Sequence, residues 1–301
     1  MGPHQQRIME QAVEHYLLDL ELTHAKSSIR THRATLRLVS AGLPVPPSQA
    51  TRRHLKDWLR GRLETASKST VQQDLRRLRV FYAWLIEEGE RDDNPTEGLK
   101  TPTPVFTPRP VVSQDEFKAL LATCRTNNAH RRGERAFCNR RDEAILRLLL
   151  DSGPRLNEIT GIRLKDLEDM CVRVMGKGSR PRTIPFGAAT AKALRRYLRA
   201  RSRHPRAGSE FLWLSSRGPL KAVSLHHMIL RRCREAGLRP ISPHQFRHAF
   251  AHEWLKSSGK ELDLMKLAGW RSRAMLERYG AILAESRAIE AHRELGLGNR
   301  Y

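Results

Sequence analysis

The stretch Pro243-His244-Gln245-Phe246-Arg247-His248 carries side chains suited to chemistry at an anionic centre. On a helix, His244, Arg247 and His248 share one face, at i, i+3 and i+4. A guanidinium is a permanent cation that forks onto phosphate oxygens, and an imidazole exchanges a proton near neutral pH. Arg155 stands where one apolar helix is expected to close and another to begin, in Gly153-Pro154-Arg155-Leu156-Asn157-Glu158. Glu158, three residues on, is close enough to orient it through a charge-assisted hydrogen bond. Lys177 lies between Gly176 and Gly178, a cation able to reach out from a turn. Tyr279 follows Trp270 by nine residues. A phenol with a pKa near ~10 attacks only when a base or neighbouring cations favour its phenolate. Each piece alone has a plainer reading: a solvated His/Arg pair, a helix-end salt bridge, a turn lysine, a packing tyrosine. A zinc site at His244, His248 and His252 is disfavoured, because the HExxH order is absent and no cysteine is nearby. No metal and no cofactor is expected.

The elements that must hold these residues are mainly helical. Apolar positions Val13, Tyr16, Leu17 and Leu20 mark a first helix, and Leu36, Leu38 and Val39 a second, with Ser27-Ser28 as its cap. Leu55, Trp58, Leu59 and Leu63 mark a third; Val71, Leu75, Leu78, Phe81 and Leu85 mark a fourth, starting after Ser69. Residues 1–97 thus read as a helical bundle. Residues 98–112 read as a linker, with Pro102, Pro104, Pro108 and Pro110 in it. Its first thirteen residues, 98–110, span roughly 40 Å at ~3.1 Å each, enough to pass from one side of a duplex to the other. Ser113-Gln114-Asp115-Glu116 is a capping box that opens the second unit, 113–301. An apolar helix is expected over 142–150, ending at Ser152-Gly153. Two β-type runs, 171–175 and 182–186, flank Gly176-Lys177-Gly178-Ser179 as a hairpin. Further helices are expected over 188–203, 222–236, 243–257, 261–268 and 283–295. Phe246, Phe250 and Trp254, recurring at i+4, would anchor the helix of His244 and Arg247 in a core. The fold class is therefore mainly α with a small antiparallel β-sheet.

Composition narrows the function. The 301 residues hold 55 Lys and Arg against 32 Asp and Glu, a formal net charge of +23. No run approaches the ~20 apolar residues of a membrane span, and none reads as a signal peptide. Cys124, Cys138, Cys171 and Cys233 form no CxxC pair, which disfavours zinc ribbons and disulfide scaffolds. The expectation is a soluble, cytoplasmic, strongly basic protein without a membrane partner. The charge is uneven: 16 basic and 13 acidic residues in 1–100, but 39 and 19 in 101–301. Nucleic acid is the usual partner of such a surplus, because neutralised phosphates release counterions. Arg76, Arg77 and Arg79 on the fourth helix, Arg180 and Arg182 beside the hairpin turn, and His248 are candidate DNA contacts.

Taken in order, Arg155, Lys177, His244-x-x-Arg247, Trp270 and Tyr279 resemble the signature of the tyrosine recombinases, or phage integrases. The resemblance covers residues 113–301 and rests on Leu148-Leu149-Leu150-Asp151-Ser152-Gly153-Pro154-Arg155, Gly176-Lys177-Gly178, Pro243-His244-Gln245-Phe246-Arg247 and Leu267-Ala268-Gly269-Trp270. Two positions depart from it: Trp270 stands where most members have His, although some, including the Cre recombinase, have Trp there, and Pro154 replaces a more usual apolar residue.

The resemblance implies a helical DNA core-binding domain ahead of a mixed α/β catalytic domain of the simple, Cre- and Xer-like kind. It implies that Tyr279 attacks a phosphodiester to form a 3′-phosphotyrosine, with Arg155 and Arg247 stabilising the added charge. His244 would accept a proton, Lys177 would protonate the departing 5′-oxygen, Trp270 would contact the phosphate and Glu158 would orient the set. The partners implied are double-stranded DNA with short inverted core sites, a homotetramer on two duplexes, and an accessory protein whose identity stays open. The apolar points Ile289 and Leu295 make 284–295 a candidate for docking on a neighbouring protomer. Because the first helix starts near residue 6, an additional arm-binding domain is not expected. Integration or excision of a phage or mobile element is the first expectation. A Xer-type chromosome-dimer resolvase and a type IB topoisomerase-like enzyme are the alternatives, with a non-catalytic DNA-binding protein and a metal-dependent nuclease behind them.

Overall fold

In a computed structural model, residues 3–103, 110–125, 133–176, 180–257 and 259–270 are described, together with 272, 273, 276, 289 and 292–296; the side chains are described from residue 11 onward. The chain divides into two units, 1–107 and 108–301.

The first unit packs four helices, α1 (Pro3–Thr23), α2 (Lys26–Gly42), α3 (Arg52–Thr65) and α4 (Lys68–Glu87). Its core takes Tyr16 and Leu17 from α1, Leu36 and Val39 from α2, Leu55 and Trp58 from α3, and Leu75, Leu78, Phe81 and Leu85 from α4. The expected second helix differs in detail. It starts at Lys26 after Ala25, so Ser27 and Ser28 lie inside its first turn and do not cap it. Leu38 is 46 % exposed, because the buried stripe runs through Leu36 and Val39, one turn apart, and leaves the position between them off the face. The fourth helix begins at Lys68, capped by Ser67, whose hydroxyl accepts from the Thr70 amide at 3.2 Å. Asp74 is buried in this bundle and accepts from Thr35 Oγ1 (2.9 Å), Arg62 (3.1 Å) and Arg77 (3.3 Å). The linker residues Gly98–Leu99 belong to this unit: Leu99 is buried in its core and its carbonyl accepts from Arg79 at 2.6 Å.

The second unit opens with α5 (Gln114–Arg125), whose capping box forms as expected: Ser113 N donates to Glu116 (2.9 Å) and Glu116 N to Ser113 Oγ (3.1 Å). At its centre is α6 (Glu134–Ser152), against which pack α5, α8 (Ala188–Arg201) and α10 (Pro243–Lys256). Ala144, Ile145, Leu146, Leu148 and Leu149 are all fully buried and wrap more than half of the helix, while Arg140 and Asp151 keep one side open to solvent. It starts eight residues earlier than the apolar run indicates. Its first half buries polar groups instead, with Asp142 accepting from Arg141 (2.8 Å), Arg231 (2.8 Å) and Arg232 (2.7 Å). After the short α7 (Leu156–Thr160) comes an antiparallel sheet of β1 (Leu167–Glu168), β2 (Cys171–Met175) and β3 (Pro181–Pro185), in that order. Its register pairs Val172 with Ile184 and Val174 with Arg182. A second two-stranded ribbon, β4 (Leu214–Ser215) with β5 (Gly218–Pro219), has no counterpart in the sequence reading; two-residue strands carry no periodicity. The helices α9 (Ala222–Glu235), α10 and α11 (Glu261–Ala268) lie where the apolar spacing predicts them. The expected helix over 283–295 falls mostly outside the described residues; Ile289 and Leu295 are about half exposed, at 47 % and 52 %. Among the described residues, no helix is long and apolar enough to cross a membrane.

Candidate active site

Two left-handed glycines build the site's floor. Gly153 ends α6 at φ +56°, and a Cβ there would meet Phe250 Cδ1 of α10 at 2.7 Å. Only glycine satisfies both the backbone and the close approach. The approach brings α10 against the α6–α7 junction, so that Arg247 Nη1 donates to the Gly153 carbonyl at 2.8 Å. Phe246 and Phe250, fully and nearly fully buried, anchor α10 while its neighbouring face carries Arg247. Gly269 ends α11 at φ +64°, with the Trp270 amide donating back to the Met265 carbonyl at 2.9 Å.

That turn leaves three successive carbonyls at the negative end of α11, and each accepts from a different arginine. Arg182 Nε donates to Leu267 O at 2.9 Å, Arg247 Nη2 to Ala268 O, and Arg155 Nη2 to Gly269 O at 3.2 Å. A helix C-terminus with unsatisfied carbonyls is a natural seat for cations. The Arg247 guanidinium also lies over the Trp270 ring, 5.5 Å from its centroid.

Glu158 closes the arrangement from below. Its Oε1 accepts from Arg155 Nη1 (2.8 Å) and Arg182 Nη1 (2.6 Å); its Oε2 accepts from Arg155 N (2.6 Å) and Arg182 Nη2 (2.8 Å). Burial alone would raise this carboxyl, but the bonds from Arg182 and from the backbone and side chain of Arg155 outweigh it and hold the pKa at about 2. Arg155 and Arg182 are thus fixed on one permanent carboxylate, and Arg247 joins them through the α11 carbonyls, a rigid net positive cluster suited to an anion with developing charge.

The family comparisons bear on this cluster. The phage integrase family model matches residues 110–285, and the N-terminal SAM-like domain of phage integrases matches residues 13–89. The chain belongs to the phage integrase family of tyrosine recombinases. Over near full length the recombinase is 27 % identical to tyrosine recombinase XerC of Corynebacterium efficiens, covering 97 % of this chain and 93 % of that one. It is 31 % identical to XerC of Pseudomonas aeruginosa, over 87 % of this chain and 88 % of the relative. Among solved structures, a lambda integrase dimer bound to a COC′ core site matches with TM-score 0.72 and 17 % identity, covering 93 % of this chain and 81 % of that one. The Tn1549 transposon integrase in complex with transposon right end DNA matches with TM-score 0.71 and 18 % identity, over 89 % and 94 %. These two likenesses show the shared fold.

Of the residues expected to act in the recombinase, Arg155, Glu158, Arg247 and Trp270 converge on this cluster. His244 is exposed near the start of α10 and His248 is half-buried one turn on. Lys177 and Tyr279 lie outside the described residues, although the loop base is closed by Gly176 N donating to Arg180 O at 2.8 Å. The candidate DNA contacts divide. Arg76, Arg79 and Arg180 are exposed, Arg79 with one guanidinium nitrogen on the Leu99 carbonyl, whereas Arg77 is half-buried and tied to Asp74 and Thr35. Arg182 is committed to Glu158 and Leu267 with a side chain only 12 % exposed. The sequence reading missed this because it took Arg182 for a surface cation. Strand alternation carried the signal: Arg182 and Ile184 share a face of β3, and Ile184 is fully buried. Among the described residues, no group of three or more His, Cys, Asp or Glu is placed to hold a metal ion.

Proposed function

We propose that this chain recombines double-stranded DNA at a specific site through a 3′-phosphotyrosine, acting as a Xer-type resolvase. The observation that carries it is the three-arginine cluster at the carbonyl end of α11, two of them held by Glu158, in a chain with XerC recombinases among its near-full-length relatives. In this reading the Tyr279 phenol oxygen attacks phosphorus and the bond from phosphorus to the 5′-oxygen breaks. The phenol proton passes to His244, and Lys177 gives a proton to the departing 5′-oxygen. Arg155 and Arg247 take the charge that grows on the nonbridging oxygens, which their fixed seats on the α11 carbonyls favour without reorganisation. Trp270 contacts the phosphate through its indole N–H. The energy of the broken bond is kept in the phosphotyrosine, so a 5′-hydroxyl of a second duplex can reverse the step with a new partner. Assembly on DNA as a tetramer is supported by the lambda integrase tetramer bound to a Holliday junction, which shares the fold at TM-score 0.70.

Integration of a mobile element, the first expectation from the sequence, is the second reading; the likeness to the Tn1549 transposon integrase favours it at the level of fold. The test is to recover DNA covalently attached to the protein from its own cells and sequence the ends. A single chromosomal site with inverted half-sites, whose direct repeats recombine to excise the DNA between them, supports resolution. Cleavage at the ends of one mobile segment supports integration, and relaxation of supercoils without joining of two duplexes supports the topoisomerase alternative.

A further inference from the structure

We propose that Arg182 is a positioning residue for strand cleavage, holding Glu158, and through it Arg155, against the carbonyl end of α11. The inference rests on the recombinase reading above and names a role that reading does not include. Arg182 uses both edges of its guanidinium. The Nη1–Nη2 edge forks onto the two oxygens of Glu158 at 2.6 and 2.8 Å, and Nε turns the other way to Leu267 O at 2.9 Å. Three segments far apart in sequence meet at this one group: strand β3, the α6–α7 junction and the last turn of α11. A lysine offers no planar fork and cannot hold all three acceptors at once.

The geometry assigns the consequence to the arginine that faces phosphate. Glu158 has four acceptor positions and all are filled, two by Arg155 and two by Arg182. Without Arg182 the carboxylate keeps only the i,i+3 partner, and it is free to turn toward Arg155 or away from it. Arg155, with 35 % of its side chain exposed, then loses the fixed counter-anchor that aims its fork. The same pair lies under the root of the hairpin loop. A Cβ placed on Gly176 would sit 3.7 Å from Arg182 Nη1 and 3.8 Å from Glu158 Oε1. A direct DNA contact is the poorer account, because the side chain is 12 % exposed and both of its edges are engaged within the protein.

The test uses the full chain and a nicked duplex spanning the sequence that the wild-type chain cuts, in single-turnover assays of adduct formation. At saturating protein, Arg182→Gln should slow adduct formation by about thirty- to a hundredfold, the size of effect seen when one fixed transition-state donor is lost. Half-saturation by DNA should stay within about threefold of wild type, since little binding surface changes. Arg182→Lys should recover less than about a tenth of the lost rate, because charge without the fork does not orient Glu158. The titration of Glu158 itself gives a readout that loss of folded protein alone would not move. With Arg182 gone, burial of Glu158 is opposed only by Arg155, so the Glu158 carboxyl, followed by carbon NMR, should titrate about one pH unit or more above its wild-type value of about 2. If Arg182→Gln does not fold, by its melting curve, the lysine variant carries the same comparisons. A rate within about threefold of wild type, a loss confined to DNA affinity, or an unshifted Glu158 titration overturns the inference. Failure of the wild-type chain to form any adduct overturns the recombinase reading instead.

Discussion

Replacing Glu158 by Gln removes one charge and turns one acceptor oxygen into a donor at the most connected point of the site. Whichever way the amide sits, two of the four donors now facing carboxylate oxygens face an NH2 group: Arg155 N and Arg182 Nη2, or Arg155 Nη1 and Arg182 Nη1. Hydrogen bonds to a charged partner are worth about 1.5–3 kcal/mol each, so losing two costs roughly 3–6 kcal/mol. The pKa gives a second route to the size. A carboxyl lowered from 4.5 to about 2 favours its ionised form in the folded chain by roughly 3 kcal/mol, and the agreement places the expected loss near that figure at pH 7. The sign with pH follows from the direction of the shift. Glu158 stays ionised in the folded chain down to about pH 2 and protonates in the unfolded chain near 4.5. Its contribution is therefore complete above pH 4.5 and is lost as the pH falls from there toward 2. Urea unfolding of wild type and Glu158→Gln, with amide exchange resolving peptides of the second unit, should show the gap at pH 7 and its narrowing from pH 4.5 to 3. A gap below about 1 kcal/mol at pH 7, or one that widens on acidification, would refute the reasoning.

Three further perturbations separate architecture from chemistry. Gly153→Ala combines a φ of +56° with a Cβ 2.7 Å from Phe250, and should cost about 2–4 kcal/mol in thermal unfolding while displacing the carbonyl that seats Arg247. Arg247→Lys loses the paired contacts to Gly153 and Ala268, so single-turnover cleavage should fall about a hundredfold or more, with DNA affinity changed far less. Asp142→Asn leaves Arg141 and Arg232 buried without their carboxylate and should cost about 3–5 kcal/mol by denaturant unfolding, well away from the site.

How much of this was legible in the sequence depended on what each residue does locally. The helix of His244 and Arg247 could be placed because Phe246 and Phe250 recur at helical spacing and are buried by it. The hairpin could be placed because Val172, Val174 and Ile184 alternate. The start of α6 was hidden because its first turns bury Asn139, Arg141 and Asp142, which pattern as surface until distant arginines supply their partners. Arg77 and Arg182 read as solvated cations for the same reason: a cation patterns as surface unless its acceptors are near in sequence, and theirs include Thr35 and Glu158. The seat made by the Leu267, Ala268 and Gly269 carbonyls had no side-chain signal at all. Only the Leu-Ala-Gly-Trp ending of α11 hinted at the turn that exposes them.

The most direct measurement of the central claim is covalent trapping. Wild type and Tyr279→Phe are incubated with nicked duplexes carrying the cellular cleavage site, in EDTA, and resolved on denaturing gels. The account predicts a protease-sensitive adduct on the 3′ side of the break with wild type and none with Tyr279→Phe. An adduct that survives loss of Tyr279, or cleavage that leaves no protein on the DNA, would contradict it.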